Sequence, residues 1–192
     1  AILEKLHADY DITEQDFISA ELEAVPAFKA RDMGFDRSLI GAYGQDDRIC
    51  AYAALQAILD IKNPEHTVLS LFVDKEEIGS EGNASAQATS FLRSLIREQD
   101  VNVDIDSVLL KSKVISADVS SAVTPNYTDA FELKNASSLG NGIVMSKFTG
   151  HGGKYSANDA SAEYIAEIRA LLDRAKVPWQ TGELGKVDKG GG

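Results

Sequence analysis

The stretch TVLSLFVDKEEIGS, residues 67–80, joins an apolar run to a cluster of carboxylates. The segment Thr67–Val73 is short and almost continuously apolar, which is typical of a central strand covered on both faces of a sheet. The acidic residues Asp74, Glu76 and Glu77 follow it, and Gly79 permits a turn after them. The pattern predicts a buried strand that presents carboxylates at its carboxyl end.

Helix and strand patterns alternate on both sides of this stretch. Further strands are predicted at residues 17–28, 111–119, 142–148 and 177–182. Helices are predicted at residues 2–7, 49–59 and 84–96, and after a cap at Asn158 or Asp159. Residues 29–45 have the composition of a loop, and the helix at 49–59 is apolar on nearly every side, which predicts that it is buried. The alternation predicts an α/β fold with a mixed, largely parallel central sheet flanked by helices on both faces.

Carboxylates stand at the ends or starts of several of these elements. Asp46 and Asp47 precede the apolar helix, and Asp118 ends the predicted strand at 111–119. Functional crevices of such sheets lie beyond the carboxyl ends of the strands, so these acids and Glu76–Glu77 are expected to converge. Clustered carboxylates are costly unless they are protonated or bind a cation, which favours a metal pair. Each pair alone also fits a solvated loop or a helix N-terminus, and that alternative stays open.

Composition narrows the function classes. The formal net charge of −11 argues against binding to a nucleic-acid backbone. The single cysteine, Cys50, excludes an intrachain disulfide and a thiolate metal cage, and it is expected to be a small buried group. No apolar run approaches the roughly 20 residues that span a bilayer, and the first residues lack the pattern of a secretion signal. We therefore expect a cytoplasmic protein that binds no membrane and no nucleic acid.

Four ordered motifs resemble the aspartyl aminopeptidase and vacuolar aminopeptidase I family, and bacterial members most closely. They are GAYGQDDRICAYAAL, FVDKEEIGSEGNAS, SADVSSAVTPNY and KYSANDASAEYIAEI. The resemblance implies a zinc-exopeptidase-like fold and a di-zinc aminopeptidase activity. It implies that Asp46 bridges two zinc ions, that Glu76 is the general base, and that Glu77 and Asp118 each bind one zinc ion. It further implies supporting roles for Asp47 and Arg48, and substrate contacts for Lys154 and Tyr155.

The chain departs from the family pattern at its histidines. The family has two histidine ligands, and neither occurs here, because His7, His66 and His151 lie outside both motifs. His7 and His66 are expected to be surface residues. Other members carry a histidine after the aspartate of the third motif, where this chain has serine, so the family's preference for acidic N-terminal residues stays open.

The resemblance sets the remaining expectations. We expect one incomplete catalytic domain over residues 1–192, with a junction to an inserted oligomerisation domain within residues 1–25. Two zinc ions per subunit are expected, with cobalt or manganese as alternatives, together with peptide substrates and a large closed homo-oligomer. A catalytically inactive subunit of the same fold is the alternative function. A magnesium phosphotransferase is disfavoured because no GxxxxGK[ST] element is present.

Overall fold

The computed structural model of the protein describes residues 1–74, 90–99, 102–151 and 155–183. The chain divides into two compact units, residues 1–48 and residues 49–192.

Two helices open the first unit. Helix α1 spans Ile2–Tyr10, which extends the predicted helix at 2–7, and α2 spans Glu14–Ser19. The strand predicted at 17–28 is therefore wrong, because its first residues belong to α2 and residues 20–28 are neither helix nor strand. The reason is a capping box, in which the Asp16 backbone N–H donates to Thr13 Oγ1 and the Thr13 backbone N–H donates to the Asp16 carboxylate. These hydrogen bonds stabilise the first turn of a helix, so the residues that follow do not form the predicted strand.

A hairpin follows where the sequence predicted only a loop. Strands β1, Arg31–Met33, and β2, Leu39–Gly41, pair antiparallel. The turn between them is closed by a hydrogen bond from the Arg37 backbone N–H to the Gly34 carbonyl at 3.2 Å. Gly34 has φ 86°, a conformation that glycine adopts without steric cost. Each strand has only three residues, which is too short to show the alternation that identifies longer strands.

Helix α3, Gln45–Asp60, is present where the sequence predicted a helix at 49–59. Its predicted burial is wrong within the described part of the chain. The exposed fractions are 52% for Ile49, 64% for Tyr52 and 62% for Leu59, because no described element covers these side chains. Cys50, predicted to be buried, is only partly so.

Two predicted strands have no regular structure. Residues 67–73 and 112–119 are neither helix nor strand. The first segment contacts α3, since Ser70 Oγ donates to the Ala54 carbonyl at 3.3 Å. A strand needs a hydrogen-bonded neighbour, and the described residues provide none for either segment.

Helices α4, Ser90–Gln99, and α5, Ile105–Lys111, follow. Helix α4 overlaps the predicted helix at 84–96, whereas α5 was not predicted. Arg93 Nη1 and Nη2 both lie 3.1 Å from Asp106 Oδ1, which joins the two helices. A 3₁₀ helix, Pro125–Ala130, comes next in the chain.

The best-defined part of the second unit is a parallel strand pair with a helix in its connection. Strand β3, Ile143–Met145, pairs with β6, Trp179–Thr181, and helix α6, Ala162–Ala175, lies between them in sequence. This is the βαβ arrangement of α/β proteins. An antiparallel hairpin of β4, Phe148–His151, and β5, Tyr155–Asp159, is inserted before α6.

Local contacts stabilise the βαβ arrangement at the start and at the end of α6. Ser161 caps α6, and its Oγ accepts from the Tyr164 backbone N–H at 3.2 Å, so the predicted cap at Asn158 or Asp159 is wrong by two or three residues. Trp179 Nε1 donates to Asp173 Oδ1 at 2.7 Å. A Cβ on Gly142 would lie 2.1 Å from the Pro178 carbonyl oxygen, so only glycine fits there.

The described residues bury few side chains. Among described hydrophobic residues only Ile105 and Phe131 are less than a tenth exposed. The fold is mixed α/β with one parallel pair and two antiparallel pairs in the described ranges. No helix of those ranges is long and apolar enough to cross a membrane.

Candidate metal centre

Asp46 and Asp47 lie in an irregular turn at the start of α3. Asp46 has φ −85° and ψ 109°, and Asp47 has φ −111° and ψ 27°. Neither residue therefore has helical backbone angles. The peptide bond between them is cis. The Asp46 side chain is exposed, whereas Asp47 is partly buried.

The turn is held by contacts with the residues just before it. The Arg48 backbone N–H donates to the Gly44 carbonyl at 3.4 Å, and Gln45 Nε2 donates to the Ile40 carbonyl of β2. The Arg48 guanidinium lies over the Tyr43 ring, with its carbon 5.6 Å from the ring centroid. Asp46, Asp47 and Arg48, three of the predicted site residues, therefore lie together in one short segment.

Asp47 carries a buried acceptor. Its Oδ1 is inaccessible to solvent and has no hydrogen-bond partner in the structure as described. A buried carboxylate oxygen is stable only with a donor or a cation beside it, and a metal ion is one group that would satisfy this atom. Carboxylate oxygens are suitable ligands for zinc and for manganese. The donor set of this turn is therefore compatible with a metal ion beside it.

Asp118 belongs to the second unit and lies on an irregular segment. Its side chain is exposed, and its Oδ1 accepts from the Val119 backbone N–H at 2.7 Å. On one side of it, Lys113 Nζ lies 2.6 Å and 2.8 Å from the two carboxylate oxygens of Glu167 on α6. On the other side, Ser137 Oγ donates to the Ser121 carbonyl at 3.1 Å. The segment is thus fixed through residues far away in sequence.

The remaining predicted residues are not tested. Glu76, Glu77 and Lys154 lie outside the described residues, and of Tyr155 only the backbone position at the start of β5 is described. Within the described ranges, no three or more His, Cys, Asp or Glu side chains are grouped as a metal site. The metal pair therefore stays a prediction.

The histidines that are described agree with the sequence prediction. The His7 side chain is 64% exposed, with its Nδ1 3.5 Å from Asp11 Oδ1, and His66 is exposed. Sequence reasoning missed Tyr43 and Gly44, which contact Arg48. The spacing G-A-Y-G-Q-D-D-R places an aromatic ring five residues before the arginine, but spacing alone does not show that the two side chains meet.

The profile of the family described as aminopeptidase I zinc metalloprotease (M18) matches residues 1–192. The chain belongs to the M18 aminopeptidase family. This confirms the resemblance drawn from the four motifs. A relative from Thermotoga maritima, a probable M18 family aminopeptidase 1, is 51% identical over 197 residues, covering 100% of this chain and 44% of its own length.

Solved structures of M18 aminopeptidases agree with this assignment. The crystal structure of the Thermotoga maritima M18 aminopeptidase superimposes with a TM-score of 0.89 at 52% identity, over 100% of this chain and 44% of that one. Aminopeptidase I from Clostridium acetobutylicum gives a TM-score of 0.89 at 50% identity, over 100% and 42% of the two chains. The M18 chain thus spans less than half the length of these relatives. The S. cerevisiae mApe1 dodecamer matches with a TM-score of 0.64 at 23% identity over 81% of this chain and 36% of that one, which shows the fold alone.

Proposed function

We propose that the gene product containing this M18 chain is a metal-dependent aminopeptidase that removes N-terminal residues from peptides. The observation that carries the proposal is the family match over residues 1–192, which includes all four chemical motifs. The turn at Asp46–Arg48, with its buried unpartnered oxygen on Asp47, supports it from the structure. The alternative of an inactive subunit gains no support, because the relatives are named aminopeptidases.

Each candidate site residue has its own proposed role in peptide hydrolysis. Asp46 would bridge the two metal ions, and Glu77 and Asp118 would each bind one of them. Zinc, when bound, supplies a Lewis acid that polarises the scissile carbonyl and makes water more acidic. Glu76 takes the proton of the attacking water and returns it to the leaving amine. Asp47 and Arg48 orient the bridging carboxylate from behind.

The fold proposed for this chemistry is a central, largely parallel sheet with helices on both faces. The parallel pair β3 and β6, connected through α6, supports this arrangement. In such a sheet functional side chains lie beyond the carboxyl ends of the strands, which is where Glu76 and Glu77 are proposed to lie. Residues 1–192 are then one catalytic domain, with residues 1–25 near a junction to an oligomerisation domain.

Substrate and assembly are inferred from the family. Lys154 and Tyr155 contact the peptide, and an acidic N-terminal residue is the proposed preference. The cations are two zinc ions, for which cobalt or manganese can substitute. The dodecameric assembly of the distant mApe1 neighbour supports a homo-oligomer.

The test is Glu76→Gln in the gene product that contains this chain. Loss of a general base lowers turnover of aminoacyl substrates by about 10²–10⁴-fold. Zinc content is expected to stay at the parental value, because Glu76 removes a proton and does not bind metal. Glu65→Gln, an exposed glutamate before the apolar stretch, is the matched control and keeps parental turnover. Parental turnover in Glu76→Gln would show that the general base is assigned wrongly.

A further inference from the structure

The Arg48 side chain packs against two preceding residues, Tyr43 and Gly44, which the sequence did not predict. We call these two residues the Arg48 seat. The guanidinium carbon lies 5.6 Å from the Tyr43 ring centroid, within the range of a cation–π contact. A Cβ added to Gly44 would meet three guanidinium atoms, lying 3.0 Å from Cζ, 3.1 Å from Nε and 3.2 Å from Nη1. The cation therefore fits between an aromatic face and a position that has room for hydrogen only. Gly44 also has φ 71°, which disfavours a side chain there independently of space.

The seat and the main chain of Arg48 bind the same short segment. The Arg48 backbone N–H donates to the Gly44 carbonyl, while the guanidinium lies over the Tyr43 ring and close to the position that a Cβ on Gly44 would occupy. The segment enclosed by these contacts contains Asp46 and Asp47. Gln45 Nε2 adds a bond to the Ile40 carbonyl of β2, which ties the same segment to the hairpin.

We propose that Arg48 is a positioning residue, whose guanidinium, seated between the Tyr43 ring and Gly44, fixes the turn that presents Asp46 to metal. The proposal rests on the proposed function, in which Asp46 is the bridging ligand. Arg48 acts through the backbone of the turn and touches neither metal nor substrate. Substitution of a residue that orients a metal ligand without touching the metal typically lowers metal affinity by about 10–100-fold.

The first test is zinc affinity of the gene product, measured by competition with a fluorescent chelator. Arg48→Ala is expected to weaken zinc binding about tenfold. Tyr43→Leu is expected to weaken it about threefold, since an exposed cation–π contact is modest. Tyr43→Phe keeps the ring face and is expected to retain parental affinity. Tyr52→Leu, an exposed tyrosine on α3 outside the seat, is the matched control.

The second test uses Gly44→Ala to separate the seat from general destabilisation. A methyl group at Gly44 displaces the guanidinium, so Gly44→Ala and Arg48→Ala are expected to be non-additive in a double-mutant cycle of zinc affinity. Additive losses would mean that Gly44 acts through backbone strain alone, and they would contradict the proposed packing of Arg48 against Gly44. At saturating zinc the KM for an aminoacyl substrate is expected to stay parental in Arg48→Ala.

Three results separate the outcomes. Parental zinc affinity in both Arg48→Ala and Tyr43→Leu overturns the inference while leaving the proposed function in place. A raised KM at saturating zinc with unchanged zinc affinity means that Arg48 contacts the substrate, which also overturns it. A parental protein that neither binds zinc nor cleaves aminoacyl substrates removes the proposed function, and this inference with it.

Discussion

The two segments that carry the described candidate ligands are built in opposite ways. The turn at residues 43–48 is held by contacts within a few residues: Arg48 to Tyr43 and Gly44, and Gln45 to Ile40. The segment around Asp118 is held by the Lys113–Glu167 and Ser137–Ser121 contacts, whose partners are 54 and 16 residues apart. One aspartate is presented by local structure and the other by tertiary structure.

This difference predicts which of the two aspartates depends on distant parts of the fold for its position. A turn closed by neighbouring residues can form early and keep its geometry when distant parts of the fold loosen. A segment anchored at long range loses its geometry as soon as its anchors do, because no local hydrogen-bond pattern replaces them. Asp46 is therefore expected to tolerate distant changes that Asp118 does not.

The largest effect is expected from removing each aspartate in turn. Asp46→Ala removes the proposed bridge, so both ions and more than about a hundredfold of turnover are expected to be lost. Asp118→Ala removes a ligand of one ion, so about one metal ion per chain is expected to remain. Metal content by mass spectrometry, alongside turnover, checks both variants. Asp60→Ala, at the far end of α3, is the control and should keep both ions. Equal metal loss in the two variants would contradict the bridging role of Asp46.

Stability is expected to respond next most strongly at Ser137. This serine is only 2% exposed, and its Oγ donates to the Ser121 carbonyl. Ser137→Ala removes this hydrogen bond and should lower the free energy of unfolding by about 0.5–1.5 kcal/mol in urea. The neighbouring Ser138 bonds Gln180 through its backbone, so Ser138→Ala should change little. If the Asp118 segment depends on this anchor, Ser137→Ala should also lower metal content. A destabilised variant with full metal content would show that Ser137 stabilises the fold without positioning Asp118.

The sequence predicted the locally determined parts of the molecule best. The helices α3 and α6 and the strand β6 have the predicted type because periodicity, capping and turn residues act over a few positions. Residues 67–73 and 111–119 have strand-like composition, yet pairing depends on neighbours that composition does not specify. The same limit applies to burial, since the apolar side chains of α3 are covered only if another element reaches them.

The candidate site follows the same rule. Asp46, Asp47 and Arg48 are adjacent in sequence, and the structure keeps them in one turn. Tyr43 and Gly44 were missed because a ring stacked on a guanidinium depends on φ at Gly44, which no composition argument supplies. The convergence of Asp46 with Glu77 and Asp118 is a tertiary property, and it remains a prediction for the same reason.

A smaller effect is expected at the Lys113–Glu167 ion pair. The two side chains are 61% and 54% exposed, so water and salt screen the attraction strongly. A double-mutant cycle with Lys113→Ala and Glu167→Ala should give a coupling free energy of about 0.2–1 kcal/mol. Coupling in urea unfolding should fall toward zero in about 1 M NaCl, where the Debye length is about 3 Å. Coupling that persists at high salt would mean that the pair is held by packing of the side-chain stems.

The smallest effect is expected at the start of α2, the most local contact of the first unit. The Thr13 side chain, and then its backbone N–H, donate hydrogen bonds to Asp16 and hold the pKa of its carboxyl below the ordinary value. A carboxyl whose folded pKa is lowered stabilises the folded state above its unfolded pKa, and that contribution is lost as pH falls through the folded value. Acid should therefore fray α2, and Thr13→Ala should return the Asp16 pKa toward its ordinary value. Carboxyl NMR titration of Asp16 measures this, with Asp36 as the internal reference, since the Ser38 hydrogen bonds that lower its pKa are untouched by the change. An unchanged Asp16 pKa in Thr13→Ala would mean that Thr13 does not cap α2 in solution.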